Sequence, residues 1–140
     1  MRVLVDTNVI VDVLQKREPW FEKASEVFIA SAEERITGCI TSKQACDIHF
    51  FARKIFRGQE KVDEKARDII SRLFTVFEVI DTLGVDCKEA LVIGNGDYED
   101  AVMMASAVRS DIDCIVTRNP DHFKGSGIKV YSPDEFVKLF

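Results

Sequence analysis

Along the chain, short continuous apolar runs alternate with segments whose apolar residues recur at the helical period. Arg2 to Val5 is a β-branched and leucine run that reads as a buried strand, and Asp6-Thr7-Asn8 supplies helix-start chemistry directly after it. Val9, Ile10, Val13 and Leu14 then fall on one helical face. Pro19 opens a second helix with Trp20, Ala24, Val27, Phe28 and Ala32 as its apolar stripe. Arg35 to Ile40 has strand character, and Thr41-Ser42 caps a helix that carries Ala45, Ile48, Phe51, Ala52 and Ile55 and stops near Gly58. A further helix is predicted from Val62 to Phe74, with Ala66, Ile69, Ile70 and Leu73 inward, before a third strand from Val76 to Ile80. Asp86 to Ile93 reads as a short helix stopped by Gly94-Asn95-Gly96, and Asp97 caps a strongly apolar helix through Val108. Cys114 to Thr117 is a buried strand, Lys129 to Tyr131 a short last strand, and Pro133 to Phe140 a closing helix.

Strands alternating with helices imply a three-layer α/β/α sandwich around a central, mostly parallel sheet. The length of 140 residues, with no internal repeat, low-complexity tract or linker, fits one domain spanning residues 1–140. In such folds ligands bind beyond the carboxyl ends of the strands. Composition adds little: 46% apolar and 31% charged residues describe an ordinary soluble protein. The apolar stretch before Asp6 is too short for a signal peptide, and nothing approaches the roughly 20 apolar residues that cross a bilayer, so a cytoplasmic protein with no membrane association is expected. The four cysteines, Cys39, Cys46, Cys87 and Cys114, form no C-x-x-C pair and read as small buried hydrophobes. His49 and His122 are isolated in sequence, which gives zinc no supporting spacing, and His122 is a site candidate rather than a metal ligand.

Charge sharpens the picture. The net charge of −5 opposes a general attraction to nucleic acid, yet Arg53, Lys54, Arg57, Lys61, Lys65, Arg67 and Arg72 cluster in mid-chain. A locally basic surface on an acidic protein can still track phosphates, although helical pairs such as Asp68–Arg72 equally describe a solvated face.

The acids are the informative residues. Asp6 follows strand one; Asp97 and Asp100 lie in the first turn of the helix before the Cys114–Thr117 strand; Thr117, Asn119 and Asp121 follow that strand; and Asp47 lies early in the helix after strand two. Strand ends and flanking helix starts can converge on one sheet edge, where three or four carboxylates repel one another unless a cation neutralises them. Hard divalent ions such as Mg²⁺ or Mn²⁺ take such oxygen ligands. Each residue also has a simpler explanation: Asp6 or Asp97 as a helix cap, Asp100 as a favourable first-turn acid, Asp47 as a surface residue, Thr117 as a strand end. The joint placement favours the site, because the simpler explanations must all hold independently.

Three blocks carry a resemblance: Val-Leu-Val-Asp6-Thr7-Asn8-Val-Ile, Asp97-Tyr-Glu-Asp100-Ala-Val-Met-Met-Ala-Ser-Ala, and Ile-Val-Thr117-Arg118-Asn119-Pro-Asp121-His-Phe123. Together they resemble the signature blocks of PIN domains, and in spacing and length the likeness spans essentially the whole chain. It implies a Mg²⁺- or Mn²⁺-dependent RNA-cleaving site in a fold whose small members are commonly dimeric toxins with a cognate antitoxin protein. On that likeness Asp6 is the first acid, Asp100 the acid of the penultimate helix, and Asp97 an extra acid of a subset, all three as metal ligands. Asp47 takes the place of the second acid, usually Glu and here one methylene shorter. Thr7, Asn8, Thr117, Asn119 and Asp121 would surround these acids, with Asn119 where an Asp often stands and Asp121 near enough to supply that charge. Arg53, Lys54, Arg57 and Lys61 would guide the RNA backbone.

Competing functions are narrower. A phosphatase with Asp6 as nucleophile wants a second acid two residues on, where the chain has Asn8. A phospho-acceptor signalling domain wants paired acids after strand one, and they are absent. The runner-up is a catalytically degenerate PIN fold that binds RNA or a protein partner without cutting, which the Asp47 and Asn119 departures favour.

Overall fold

The computed structural model describes residues 1–93 and 97–140. Five strands form one sheet in the order β3-β2-β1-β4-β5, with every pairing parallel. They are β1 (Arg2–Val5), β2 (Thr37–Thr41), β3 (Glu78–Ile80), β4 (Cys114–Val116) and β5 (Lys129–Tyr131). The helices are α1 (Thr7–Leu14), α2 (Phe21–Ala32), α3 (Ser42–Ile55), α4 (Val62–Val76), α5 (Gly84–Glu89), α6 (Tyr98–Arg109) and α7 (Pro133–Phe136). The chain lays down β1, β2 and β3 in one direction, then returns past β1 to β4. The crevice at the carboxyl ends of β1 and β4 is therefore the topological switch point, the place where open parallel sheets bind ligands.

Side-chain alternation in the strands builds a core on each face. Val3 and Val5 of β1, with Ile40, Cys114 and Val116, face a layer made by α1, α2, α3, α4 and α7. Leu4, Cys39, Ile80 and Ile115 point the other way, against α5, α6 and Phe123. This is the expected three-layer α/β/α sandwich. Residues 101–107 of α6 are all buried, so this helix lies flat on the central strands and brings its first turn to their carboxyl ends.

Several expected boundaries move. Helix α2 starts at Phe21 rather than Pro19, and Trp20 leaves the apolar stripe: it is exposed, with the Arg118 guanidinium 4.2 Å from its ring centroid. Ala32 is exposed and Ser31 is buried instead, its hydroxyl donating to the Val76 carbonyl at 2.7 Å. Val76 belongs to α4, so β3 starts at Glu78, and β2 starts at Thr37 rather than Arg35. Asp86 does not open α5; its buried carboxylate accepts from the Leu83 N–H, Ser106 and Arg109, which fastens α5 to α6. The Gly94-Asn95-Gly96 stop lies outside the described residues. The closing helix is one turn, Pro133–Phe136, tightened into a 3₁₀ turn over Val137–Leu139. A second 3₁₀ turn, Pro120–Phe123, has no helical period to announce it and buries Phe123 under α6. The cysteines are free thiols; Cys39 and Cys114 are buried as expected, but Cys46 is exposed on α3.

Gly38 in β2 marks where α2 and the end of α4 press hardest on the sheet. A Cβ there would stand 2.8 Å from the Phe77 ring and closer still to the Ser31 hydroxyl. Gly38→Ala is expected to lower unfolding free energy by about 1–3 kcal/mol through overpacking. Urea denaturation checks this, and an unchanged midpoint would contradict so close an approach.

Candidate metal centre

Asp6 occupies the N-cap position of α1 but makes no capping hydrogen bond. Its side chain turns instead across the sheet end. There Oδ2 accepts from the Thr117 hydroxyl at 2.6 Å and from Asn8 Nδ2 at 2.8 Å. Thr117, the residue after β4, is itself fixed by the Asn119 N–H donating to its Oγ1 at 3.0 Å. Asn8 Oδ1 accepts from the Arg118 N–H at 3.2 Å, so α1 and the segment after β4 are tied at two points. On the other side, Gln44 of α3 donates to the Val5 carbonyl at 2.8 Å and to Thr7 Oγ1 at 3.2 Å, while Thr41 and Gln44 close a capping box.

The second acid group comes from α6. Asp97 Oδ1 caps the helix by accepting from the Asp100 N–H at 3.2 Å, and Asp100 Oδ2 lies 2.9 Å from His122 Nδ1 on the 3₁₀ turn. Asp97, Asp100 and His122 each offer a ligand atom within 4.8 Å of the others. Asp6, Thr7, Asp47, Glu99 and Asp100 line a common cavity of about 310 Å³ with Lys43, Phe50, Phe51 and Met103.

The electrostatics follow from this crowding. Burial raises the Asp6 carboxyl from 3.8 to about 6; the Thr117 hydroxyl and Thr7 N–H oppose the rise and the charge of Asp100 adds to it. Asp100 is also raised, first by burial and then by Asp97 and Glu99, against the bond from His122. Two carboxyls raised by burial on one cavity, with Asp100 adding to the rise of Asp6 and His122 bonded to Asp100, suit a hard divalent cation.

Asp47 lies on the same cavity, but Lys43 one turn earlier holds its Oδ2 at 2.6 Å and reaches Glu99 Oε1 at 3.2 Å. Asn119 is exposed and contributes its backbone N–H. Asp121 is exposed, ion-paired to Lys124 at 2.5 Å, and is not part of the cavity wall. Arg53, Lys54 and Arg57 line a neighbouring cavity together, whereas Lys61 sits 4.0 Å from Glu64 and faces a different one.

The PIN-domain family model matches residues 2–121. The chain belongs to the PIN-domain family. Among solved structures, this PIN domain is similar to VapBC2 of Rickettsia felis bound to a promoter DNA fragment, at 17% identity and a TM-score of 0.65, covering 94% of this chain and 98% of that one. It is also similar to FitAcB of Neisseria gonorrhoeae, at 17% identity and 0.68, covering 94% and 97%. A third is VapC20 of Mycobacterium tuberculosis, a sarcin-ricin loop cleaving toxin, at 14% identity and 0.64, covering 90% and 95%. At these identities the likeness is one of fold. Comparison with curated protein sequences yields no match.

Several residues of this PIN domain's site escape a reading of the sequence. Lys43 was legible only as an i,i+4 partner of Asp47, and Gln44 only as half of a capping box. Glu99 lay unnoticed between Asp97 and Asp100. His122, set aside as a ligand, stands in the acid group because the 3₁₀ turn swings it back to α6. Asp12 of α1 is fully buried with Arg118 Nε 3.0 Å from its Oδ2, which pins the segment after β4, and Thr117 with it, onto α1.

The raised Asp6 carboxyl has a signed consequence. The folded protein binds this proton more tightly than the unfolded chain, so the stability the group contributes is complete below 3.8 and is lost as pH rises through about 6. In chelator at pH 7, Asp6→Asn is therefore expected to stabilise the protein by on the order of 3 kcal/mol. Added Mn²⁺ should raise the melting temperature of the wild type and not of the variant. A variant less stable than the metal-free wild type would contradict the crowding.

Proposed function

We propose that this chain is a divalent-metal-dependent ribonuclease, with Mg²⁺ or Mn²⁺ as its cofactor, that cleaves RNA phosphodiester bonds. The observation that carries the reading is the convergence of Asp6 and Asp100 on one cavity at the switch point of the sheet. A divalent ion bound there supplies the positive charge that phosphodiester hydrolysis needs, activating water and offsetting charge on the phosphate. Asp6, Asp100 and Asp97 are the residues to hold it, with His122 beside Asp100. Thr117 and Asn8 fix the Asp6 carboxylate in one orientation, which is what neighbouring hydrogen-bond partners do for ligands elsewhere. Thr7 lines the cavity and directs its N–H to the Asp6 carboxyl, Asn119 steadies Thr117 through its backbone N–H, and Asp121 stands apart, paired with Lys124. Asp47 supports the site from α3, with Lys43 setting its charge.

RNA is favoured as substrate by the family and by the basic cavity of Arg53, Lys54 and Arg57 beside the acids. The likeness to a loop-cleaving toxin and to toxin–antitoxin complexes extends the reading to a toxin, homodimeric and cytoplasmic, held by a cognate antitoxin protein. No helix among the described residues is long and apolar enough to cross a membrane.

A second reading rests on one observation: Asp47, on the cavity wall, is already ion-paired with Lys43, which leaves it less free to hold a cation. A PIN fold weakened in this way would bind RNA or a protein partner without cutting. Cleavage of mixed RNA substrates with Mn²⁺ separates the two. Asp6→Asn and Asp100→Asn are each expected to slow the wild-type rate at least about a hundredfold, close to 2.7 kcal/mol in the barrier. Equal residual cleavage in all three proteins would sink the site; Mn²⁺ binding without any cleavage would favour the degenerate reading.

A further inference from the structure

Phe50 is a wall shared by two cavities. On one side it lines the acid cavity; on the other it closes a space of about 380 Å³ with Arg53, Lys54, Arg57, Gly58 and Val62. The end of α3 shapes the second cavity: Phe50, Arg53 and Lys54 share one helical face at i, i+3 and i+4, and Arg57 joins them from the turn that follows the helix. Gly58, at a φ of +82°, then turns the chain away toward α4 and leaves this face open.

Arg53, Lys54 and Arg57 are exposed cations gathered around one concavity. Elsewhere Arg109 is paired with Asp86, Arg118 with Asp12 and Lys43 with Asp47. Among the described residues no carboxylate stands within 4.0 Å of Arg53, Lys54 or Arg57. Three cations around one concavity, only Arg53 of them acting on a carboxylate (Asp63) and that from a distance, attract an anion, and two are guanidiniums suited to bidentate phosphate contacts. Phe50 itself is 58% exposed, with its ring on the rim between the two cavities. The Lys54 ammonium lies 4.5 Å from its centroid, so the ring face is open to a cation or to another π-system.

We infer that this cavity is a subsite for a nucleotide flanking the cut in single-stranded RNA. The base stacks on Phe50, Arg53 and Arg57 take its phosphate, and Lys54 leaves the ring for the backbone. The inference rests on the ribonuclease reading and adds to it a base-stacking position at the end of α3. A base held in an A-form stack cannot lie on a protein ring, whereas a looped-out or single-stranded base can.

The test is fluorescence anisotropy with a labelled oligouridine and with a duplex of the same length, in EDTA so that binding is read without turnover. Wild type is expected to prefer the single strand. Phe50→Ala and Phe50→Leu are expected to weaken it about tenfold and Phe50→Trp to restore it, a pattern set by stacking rather than by apolar volume. Removing Arg53 and Arg57 together should flatten the log–log salt dependence by about 0.7 for each phosphate they neutralise. Duplex bound as tightly as single strand, or Phe50→Leu binding like wild type, would overturn the subsite. Mn²⁺-dependent cleavage by Asp100→Asn is measured alongside. If Asp100→Asn loses cleavage while Phe50→Leu binds normally, the subsite alone fails. If Asp100→Asn still cleaves while Phe50→Leu loses binding, the metal centre fails and the subsite stands.

Discussion

A carboxylate held at the end of the central strand, where burial works against its charge, is the constraint around which this molecule is organised. Asp6 has β2 on one side of its strand and β4 on the other, and it is only 7% exposed. Its Oδ2 is fixed by a hydroxyl and an amide, and the charge of Asp100 presses on it across the cavity. A protein gains no stability from such an arrangement unless a cation completes it. Hydrogen bonds from the Thr117 hydroxyl and the Thr7 N–H offset only part of the desolvation, so the carboxyl is still pushed up to about 6.

The rest of the fold can be understood as what keeps those acids together. The return of the chain past β1 to β4 sets Thr117 beside Asp6, because Val5 pairs with Val116 and each strand's next residue emerges at the same edge. The flat, wholly buried middle of α6 aims its first turn at that edge, with Asp97 as cap and Asp100 one turn in. Asp86 and Arg109 anchor α5 to the far end of α6. The Asp12–Arg118 pair, with Trp20 against the guanidinium, does the same for the segment after β4. Removing Arg118 would leave the fully buried Asp12 with only Arg17, 4.0 Å away, to offset its charge, the costly way to break a buried ion pair.

Much of this was legible in the sequence, for identifiable reasons. The buried strands Arg2–Val5 and Cys114–Val116 show as continuous apolar runs, and the apolar turns of α6 show from Ala101 onward, so the parallel three-layer sandwich follows. Asp6 was the ambiguous residue. Cap and ligand share one position in sequence, and only the absence of a capping bond together with the Thr117 contact separates them. What stayed hidden depended on long-range geometry or on structure without a period. The 3₁₀ turn that returns His122 to Asp100 spans four residues and has no repeat. Nothing in the sequence marks Asp12 as buried, because Arg118, more than a hundred positions away, is what makes its burial tolerable. Asp121, near the motif in sequence, points its charge to Lys124 because the same turn carries it outward.

The central claim is that Asp6 and Asp100 share one divalent ion. Anomalous difference density from a crystal of the protein soaked in Mn²⁺ tests it directly. A peak in contact with carboxylate oxygens of both residues is the predicted result. A peak confined to Asp97 and His122, or no peak while both carboxylates keep these positions, would contradict it.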